Sequence, residues 1–529
     1  MSLPPRCFAD RKLSWAPSAG CRNPYVQPPG RALHSRRVLP RDCSATPPGR
    51  PPPLRRTKIV CTLGPSSREP AIIARMIRAG MDVARLNTSH GTLEEHAALL
   101  ATVREVATQE GRHVAVLMDL SGPKLRTGTT PGGAPMAIAD GASIRLLGQR
   151  VPGSPAEIGI DYATLTAEVQ PGERVLLDDG NLELIVEAVG ANGLSCRVIQ
   201  GGLLGPSKGV SFPQSTLTLP ALTPRDRECI AAGVRMGVDY FALSFVGAAD
   251  DLSRARALVN SLGADTPIIA KIERRQAIEH LEEIVGEADG VMVARGDLGV
   301  ELPPEDVPVQ QRRIIAAAGQ EMIPVITATQ MLESMIDSPR PTRAESSDVA
   351  NAAWDLSDAL MLSAETASGR FPVETVQMMD RIIRAAEASA PDETDPSVHP
   401  KTDDHSYVVA LAARRIVESD DNMQGVVCFT RSGYTAFLLS KVHPRAPIFG
   451  VSPSEAVCRR LALARGVIPV LAPLVGTSEE MLRIVDTVLV EQALFGAGDE
   501  VVVVGSLPVK TAGTTNFLKL HRVGESRTY

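Results

Sequence analysis

The stretch PIIAKIE, residues 267–273, decides the fold and raises the first question about function. It is an apolar run of strand length that carries a lysine and, two positions later, a glutamate. Residues two apart in a strand point to the same face, so Lys271 and Glu273 are predicted to lie side by side. Because burial makes unpaired charge costly, they form either a purely structural ion pair or part of a functional site.

Seven more runs of this kind lie along the chain, and amphipathic stretches separate them. The eight runs are TKIVCTL (57–63), MDVARLN (81–87), VAVLMDL (114–120), DYFALSF (239–245), PIIAKIE (267–273), GVMVARGDL (290–298), PVITATQ (324–330) and ALMLSAE (359–365). Alternation of strands and helices favours a parallel sheet, and eight repeats favour a closed (β/α)8 barrel. The sequence therefore predicts an α/β protein built on a TIM barrel.

The region between the third and fourth runs has a different character. Segments such as ERVLLDDGNLELIVEAV alternate like antiparallel strands with Gly-rich turns, which predicts a small inserted β-barrel domain. Loops after barrel strands lie on the catalytic face, so this domain is placed to act as a lid. After the acidic linker SAPDETDPSVHP (389–400), further strands and helices predict a C-terminal α/β domain. The predicted limits are 1–56 for an N-terminal extension, 57–122 and 223–390 for the barrel, 123–222 for the β lid and 391–529 for the C-terminal domain.

The composition is typical of a soluble globular protein. Of 529 residues, 44% are hydrophobic and 22% charged, and the net charge is −6. This mildly acidic balance does not indicate nucleic acid or an anionic membrane as a partner, and no apolar window of membrane-spanning length is present. The eight cysteines lack metal-binding spacing and indicate a reducing compartment, so we expect a cytoplasmic location.

The first 56 or so residues are rich in Arg and Pro and contain only two acids, Asp10 and Asp42. Such a segment buries too little apolar area to offset its ordering entropy. One interpretation is a disordered tail or an over-long predicted start. The other is a transit peptide that would direct the chain to an organelle.

Polar residues end almost every predicted barrel strand. They are Arg85, Asn87, Asp119, Ser244, Lys271, Glu273, Asp297, Thr329, Ser363 and Glu365. Any one of them is explained as an ordinary strand end or helix cap. Their recurrence on seven strands is better explained by an active site, because the C-terminal strand ends build the active site in this fold.

Glu273 and Asp297 end adjacent predicted strands and so favour a shared divalent ion. Magnesium takes one or two protein carboxylates together with substrate phosphate oxygens and water. Lys271 would stabilise negative charge on a reacting oxygen beside the metal. In RGDLG, backbone N–H groups at a helix start suit a carboxylate or phosphate, and Thr329 adds a hydroxyl. These residues predict a magnesium site for a small, doubly anionic molecule, without naming it.

The motifs TKIVCTLGPSS, GMDVARLNTSHG, AKIE, VMVARGDLGVELP, ATQMLESM, PRPTRAESSDVANA and LSAETASGRFPVE resemble the pyruvate kinase family in order and spacing, from about Thr57 onward. The resemblance implies transfer of the phosphoryl group of phosphoenolpyruvate to ADP, giving pyruvate and ATP in the last step of glycolysis. It implies that Glu273 and Asp297 hold Mg²⁺ or Mn²⁺, and that the backbone of Gly296 and Asp297, with Thr329, receives the substrate carboxylate.

Further roles follow from the same resemblance. Lys271 stabilises the enolate, while Arg85 and Arg126 contact the transferring phosphoryl group. Lys208, in SKGVSFP, contacts the nucleotide phosphates. Thr329 and Ser363 belong to the relay that protonates enolpyruvate, for which a water molecule is an alternative immediate donor.

His90, in TSHG, is interpreted as a helix-start or adenine-side residue. The family is usually a homotetramer, and RPTRAE resembles its inter-subunit region.

Two other functions remain open at this stage. One is another metal-dependent barrel enzyme for phosphoenolpyruvate or a 2-oxo acid, such as a lyase, which would not need Lys208 or the two arginines. The other is a catalytically dead metabolite sensor, which would be expected to lose Lys271, Glu273 or Asp297.

The segment FTRSGYTA (429–436) follows a predicted strand and opens a helix. Thr430, Arg431, Ser432 and Thr435 there favour a phosphate site for a phosphorylated effector, and the alternative is a capped turn without a ligand.

A departure from the family lies in MDLSGPKLRTG (118–128). Many members need potassium and carry a glutamate where this chain has Lys124. Asn87, Ser89 and Asp119, the side chains that would ligate potassium, are kept. Lys124 and Leu120 instead resemble the potassium-independent branch, in which a tethered ammonium replaces the ion; the alternative is a solvated lysine at the hinge. The sequence predicts that K⁺ is not required.

Overall fold

The computed structural model describes residues 55–389, 405–508 and 515–525. The predicted N-terminal extension lies almost wholly outside the described residues, and so does most of the predicted acidic linker. Within them, the strands are β1 (Lys58–Thr62), β2 (Val83–Asn87), β3 (Ala115–Asp119), β4 (Met136–Ile138), β5 (Ser143–Leu147), β6 (Glu157–Gly159), β7 (Arg174–Leu177), β8 (Leu182–Gly190), β9 (Gly193–Gln200), β10 (Gly202–Leu204), β11 (Val210–Ser211), β12 (Tyr240–Leu243), β13 (Ile268–Ile272), β14 (Gly290–Ala294), β15 (Val325–Ala328), β16 (Ala359–Leu362), β17 (Met423–Phe429), β18 (Ile448–Ser452), β19 (Val467–Leu471), β20 (Glu500–Gly505) and β21 (Phe517–Arg522).

The helices alternate with the barrel strands, as predicted. They are α1 (Pro70–Ala79), α2 (Leu93–Gln109), α3 (Leu165–Glu168), α4 (Pro224–Met236), α5 (Ala249–Ser261), α6 (Arg275–Glu279), α7 (Leu281–Glu287), α8 (Arg295–Glu301), α9 (Val307–Gln320), α10 (Arg343–Trp354), α11 (Ala364–Ala367), α12 (Pro372–Ser389), α13 (His405–Ser419), α14 (Tyr434–Lys441), α15 (Glu455–Leu461) and α16 (Ser478–Glu491). Capping boxes start α2, α4 and α10, where Thr92, Thr223 and Thr342 each pair with an acid three residues on.

Eight parallel strands close into a barrel in the order β1-β2-β3-β12-β13-β14-β15-β16. All five residues of β13 are buried, because helices cover the outside while side chains fill the inside. Inward residues such as Val60, Ile269 and Met292 form an apolar interior cluster. The predicted (β/α)8 barrel is confirmed. Because its interior is apolar, the polar residues lie at the strand ends.

The insertion between β3 and β12 is a β domain with its own hydrophobic core. Its strands pair as a six-stranded mixed sheet in the order β11-β7-β8-β9-β5-β6, beside a β10-β4 ribbon. Two bridges close this sheet, because Arg126 pairs with Gly209 beside β11 and Thr127 pairs with Ile160 beside β6. The predicted small inserted β-barrel domain is therefore present. The edge strands β6 and β11, which are only three and two residues long, are joined through these two bridges.

The C-terminal α/β unit is a five-stranded sheet in the order β19-β18-β17-β20-β21. It packs against the N-terminal ends of the barrel strands: the Lys58 ammonium donates to the Val467 carbonyl at 2.7 Å, and the Tyr240 hydroxyl donates to the Arg460 carbonyl at 2.8 Å. Since this end is covered, the opposite end of the barrel carries the site. In the described part of the chain, no helix is both long and apolar enough to cross a membrane. The domain limits given above stay predictions.

Candidate active site

Lys271 lies at the C-terminal end of β13 and is 9% exposed. Its ammonium is 2.6 Å from Glu273 Oε1, 3.2 Å from Asp119 Oδ1 and 2.7 Å from Ser244 Oγ. Burial alone would lower the pKa of Lys271, but the carboxylates of Asp119 and Glu273 outweigh it and raise the pKa above its ordinary value. Lys271 is therefore a fixed positive charge at neutral pH, and the predicted contact with Glu273 is present.

Glu273 and Asp297 form the carboxylate pair of the site. Burial raises the pKa of Glu273; the Lys271 ammonium opposes this shift, and the nearby Asp297 carboxylate adds to it. Glu273 Oε1 meets Lys271 and Oε2 accepts the Phe245 N–H at 2.8 Å, so each oxygen keeps a lone pair for another ligand. A divalent cation would relieve the repulsion between the two carboxylates.

The donor set fits magnesium bound together with a substrate. No cluster of three or more His, Cys, Asp or Glu side chains is placed to hold a metal within the described ranges. Two carboxylates alone are a weak metal site, and Mg²⁺ binds such pairs when substrate oxygens and water complete its octahedron. Glu273 and Asp297 are thus suited to a metal that arrives with an anionic substrate.

Arg85, the middle residue of β2, lies beside the same cluster. Its Nε donates to Asp119 Oδ2 at 2.7 Å and its Nη1 to Thr62 Oγ1 at 2.8 Å. Asp119 is buried, which raises its pKa, but Lys271 and Arg85 reverse this and hold the pKa below its usual value. Asp119 therefore stays ionised and fixes both cations at the mouth of the barrel.

Gly296 and Thr329 meet at the ends of β14 and β15. The Gly296 N–H donates to Thr329 Oγ1 at 2.7 Å, and the Thr329 hydroxyl donates to the Ala328 carbonyl at 2.6 Å. The Gly296 N–H that was predicted to be available for an anion is therefore occupied by Thr329. A substrate carboxylate would have to share or replace this bond.

Ser363 and Glu365 follow β16. The Ser363 hydroxyl is enclosed and has no hydrogen-bond partner among the described residues, while its N–H donates to Glu365 Oε2 at 2.6 Å. Burial raises the pKa of Glu365. The Ser363 hydroxyl is thus oriented by its backbone and available to a ligand or water.

Two predicted cations belong to the inserted β domain. Arg126 Nη1 donates to the Ser207 carbonyl at 3.0 Å. The Lys208 ammonium is 2.8 Å from Asp178 Oδ1, and its hydrogen bond to Asp178 raises the pKa of Lys208. A nucleotide phosphate would exchange with Asp178 for this lysine.

Lys124 lies in the cleft between barrel and inserted sheet, where Glu273 and Asp297 also lie. Its ammonium is 4.0 Å from Asp297 Oδ1, and no ion pair to Asp119 is present. We predicted that Lys124 would replace potassium among Asn87, Ser89 and Asp119. Arg85 and Lys271 bind Asp119, and the replacement of potassium by Lys124 stays a prediction.

The other side chains of the predicted potassium group contact protein atoms. The Ser89 N–H donates to Asn87 Oδ1 at 3.1 Å, and Ser89 Oγ donates to Ser121 Oγ at 3.2 Å. His90 is exposed two residues before Thr92, the residue that caps α2, and its carbonyl contacts His96 Nε2 at 2.9 Å. The position of His90 agrees with the predicted helix start, and its role beside the adenine stays a prediction.

The predicted effector residues surround the start of α14. Thr430 Oγ1 accepts the Gly433 N–H at 2.9 Å, and Thr435 Oγ1 contacts Thr515 Oγ1 at 2.8 Å. Both threonines are buried, whereas Arg431 and Ser432 are exposed. The two threonines build the turn, and an effector site there stays a prediction.

Three residues of the site were missed at the sequence level. Thr62 supports Arg85, Asp178 holds Lys208, and Arg295 contacts the backbone of Thr329. Thr62 and Arg295 stand at the ends of predicted strands, the same signal that identified the others. Asp178 had no comparable signal, because its place opposite Lys208 depends on the pairing of β7 with β11.

A barrel whose mouth carries a buried lysine, a pair of carboxylates and an arginine, with a β domain inserted beside it, is suited to an enzyme that acts on anionic substrates. Family models agree and are more specific: residues 54–376 match the pyruvate kinase barrel domain, and 408–521 match the pyruvate kinase alpha/beta domain. The chain belongs to the pyruvate kinase family.

Similar proteins support the same assignment. A pyruvate kinase of Mycobacterium tuberculosis (strain ATCC 25618 / H37Rv) is 42% identical over 472 residues, which cover 89% of this chain and 99% of the relative. A pyruvate kinase of Geobacillus stearothermophilus is 42% identical over 476 residues, covering 89% and 81%. The crystal structure of a pyruvate kinase from Cryptosporidium parvum has a TM-score of 0.83 and 35% identity, covering 88% of this chain and 96% of that one.

The family fixes the reaction. The chain is a phosphotransferase that moves the phosphoryl group of phosphoenolpyruvate to ADP and forms pyruvate and ATP. The resemblance seen in the motifs, the fold class and the predicted function are confirmed.

Proposed function

We propose that the strand-end cluster around Lys271 carries out this transfer, with each residue in the role described below. The observation that carries the proposal is the Lys271 ammonium, held within 3.2 Å of Asp119, Glu273 and Ser244. Three contacts fix its position before substrate binds, so no reorganisation is needed as charge develops.

Glu273 and Asp297 would hold Mg²⁺ together with the substrate. When bound, the metal ion supplies positive charge that polarises phosphoryl and enolate oxygens. The Gly296 N–H and the Thr329 hydroxyl orient the substrate carboxylate beside it. This places the bridging oxygen of phosphoenolpyruvate towards Lys271, which stabilises the enolate as the bond to phosphorus breaks.

Arg85 and Arg126 bind the phosphoryl group from opposite sides of the cleft. Arg85 is on the barrel and Arg126 on the inserted domain, so both arginines contact the phosphoryl group only when the inserted domain lies against the barrel. Charge spread over the equatorial oxygens of the transferring group makes such cations effective. Lys208 leaves Asp178 for the phosphates of ADP, which couples nucleotide binding to the position of the β lid.

Thr329 and Ser363 complete the reaction by supporting protonation of enolpyruvate. The Ser363 hydroxyl has no partner in the described structure and is available to hold a water or pass a proton. Glu365 keeps the Ser363 backbone in place. The methyl group of pyruvate forms at this end of the site.

The test of the proposal is magnesium-dependent pyruvate formation in an assay coupled to lactate dehydrogenase. Phosphoenolpyruvate, ADP and Mg²⁺ together should be needed. Pyruvate formed without ADP would indicate a different enzyme that acts on phosphoenolpyruvate. No pyruvate at all would indicate a catalytically dead metabolite sensor.

We predict that the enzyme does not require potassium. The Lys124 ammonium is 4.0 Å from Asp297 and is about one-third exposed, so it supplies a tethered monovalent charge next to the carboxylate pair. Turnover in tetramethylammonium should therefore match turnover in potassium at equal ionic strength. Activation by potassium of more than about tenfold, roughly 1.4 kcal/mol of barrier, would contradict this prediction.

The converse variant is Lys124→Glu, which should be poor in tetramethylammonium and recover when potassium is added. The matched control is Lys519→Glu, which makes the same change of charge on exposed β21 of the C-terminal unit. Its turnover should not depend on which cation is present. The homotetramer and the cytoplasmic location stay predictions.

A further inference from the structure

The backbone at Thr329 has an unusual conformation for its residue type. Thr329 has φ +67° and Gln330 has φ +54°. Left-handed conformations are uncommon outside glycine, and for a β-branched residue they are genuine outliers. Such strain persists only where the surrounding structure holds it, and it concentrates at functional sites.

Arg295 is the residue that holds this backbone. Its Nη2 donates to the Thr329 carbonyl at 2.7 Å and its Nε to the Ala328 carbonyl at 3.3 Å. The adjacent Gly296 N–H binds the Thr329 hydroxyl. Arg295 and Gly296, the first two residues of α8, thus fix both the main chain and the side chain of Thr329.

Asp348 anchors the guanidinium from the other side. Arg295 Nη1 donates to Asp348 Oδ1 at 2.7 Å, and the Arg295 side chain is 12% exposed. Asp348 lies on α10, outside the barrel wall and away from the carboxylate pair. The guanidinium also contacts Met331 Sδ through Nη2 and Gln311 Oε1 through Nη1. The bond to Asp348 orients its plane so that Nη2 and Nε face the two carbonyls, a fork that a lysine ammonium cannot reproduce.

We propose that Arg295 is a positioning residue that holds Thr329 in its left-handed conformation for catalysis, and that Asp348 fixes Arg295 in turn. This inference rests on the role proposed for the Thr329 hydroxyl. Arg295 acts entirely through Thr329 and does not contact the reacting atoms. Helix α10 thereby supports the site through Asp348, although the helix lies outside the barrel wall.

The test begins with Arg295→Lys, which keeps the charge near Asp348 but loses the paired donors. A displacement of Thr329 by about 1 Å is expected to lower kcat on the order of 10²-fold, with a change in the KM for phosphoenolpyruvate of less than about threefold. Asp348→Asn keeps the carbonyl bonds but weakens the anchor, so a loss of kcat of about tenfold is expected. Unchanged kcat in both variants would overturn the proposal.

A double-mutant cycle with Thr329→Ala separates positioning from general damage. If Arg295 acts through the Thr329 hydroxyl, Arg295→Lys should lower kcat by less than about threefold once that hydroxyl is gone, because residues acting as a unit are not additive. An equal loss of kcat in both backgrounds would overturn the role of Arg295 while leaving the proposed function intact. Full activity of Thr329→Ala would instead overturn the role proposed for Thr329, and this inference with it.

Two experiments control for effects of the substitutions on folding. Arg312→Lys alters another arginine–aspartate pair that reaches the C-terminal end of α10, with Nε 3.0 Å from Asp355 Oδ1, and it should leave kcat unchanged. If Arg295→Lys does not fold, the same cycle is run with Asp348→Asn. A loss of kcat that Asp348→Asn causes only when Thr329 is retained supports the proposal, and any other outcome overturns it.

Discussion

Replacement of Lys271 by methionine is expected to lower kcat by about 10³-fold or more, which corresponds to about 4 kcal/mol of transition-state stabilisation. The ammonium is buried and bound to Asp119, Glu273 and Ser244, so a solvent cation cannot easily take its place. The enolate oxygen would then develop its charge without the fixed cation. Binding of phosphoenolpyruvate should weaken much less than kcat falls, which coupled kinetics at saturating Mg²⁺ would measure.

The variant also leaves the buried Glu273 carboxylate without its cation, whereas Asp119 keeps Arg85. Breaking a buried ion pair in this way destabilises folds by about 3–5 kcal/mol. Lys441→Met is the matched control. Lys441 is a buried lysine ion-paired with Asp358, but Asp358 precedes β16 at the opposite end of the barrel. Lys441→Met should lose thermal stability and keep kcat per folded molecule. Near-normal turnover of folded Lys271→Met would remove the central role assigned to Lys271.

Replacement of Glu273 by glutamine is expected to lower kcat/KM on the order of 10²-fold or more and to raise the Mg²⁺ concentration needed for half-maximal activity. A metal ion supplies several kcal/mol of charge stabilisation, and this variant leaves Asp297 as the one carboxylate of the pair. Glutamine keeps the shape of the side chain and an oxygen that can accept the Phe245 N–H. The measurement is a Mg²⁺ titration of activity, together with Mn²⁺ binding followed by electron paramagnetic resonance.

The matched control is Glu301→Gln. Glu301 lines the same cleft and accepts a hydrogen bond from the Ser211 hydroxyl of the inserted domain, but it is not one of the proposed metal ligands. Its variant should keep the affinity for Mn²⁺. Equal loss of Mn²⁺ affinity in the two variants, or none in Glu273→Gln, would show that the pair does not hold the metal.

The barrel could be predicted because its signal is local and repeated. Each strand is a short apolar run, and runs of this kind alternate with amphipathic helices eight times. The contact between Lys271 and Glu273 could also be predicted, because residues two apart in a strand share a face. Strand-end polarity then identified Asp297, Thr329 and Ser363 without any knowledge of their distances.

The rest depends on contacts between distant parts of the chain. The Gly296 N–H belongs to Thr329, which lies 33 positions further on, and no local pattern shows that it is taken. Lys124 lies 4.0 Å from Asp297, a contact between distant positions that no local pattern shows. The inserted sheet is closed by the bridges from Arg126 and Thr127 to Gly209 and Ile160, partners that lie far along the chain and so leave no local pattern.

The most direct test of the central claim, that this one site transfers phosphoryl from phosphoenolpyruvate to ADP, is the reaction followed by ³¹P nuclear magnetic resonance. With Mg²⁺ and ADP present, the phosphoenolpyruvate signal should be replaced by the γ-phosphate of ATP, with one pyruvate formed for each ATP, and folded Lys271→Met should leave the spectrum almost unchanged over the same time. Loss of phosphoenolpyruvate with release of inorganic phosphate and no ATP, or equal ATP formation by Lys271→Met, would contradict the account.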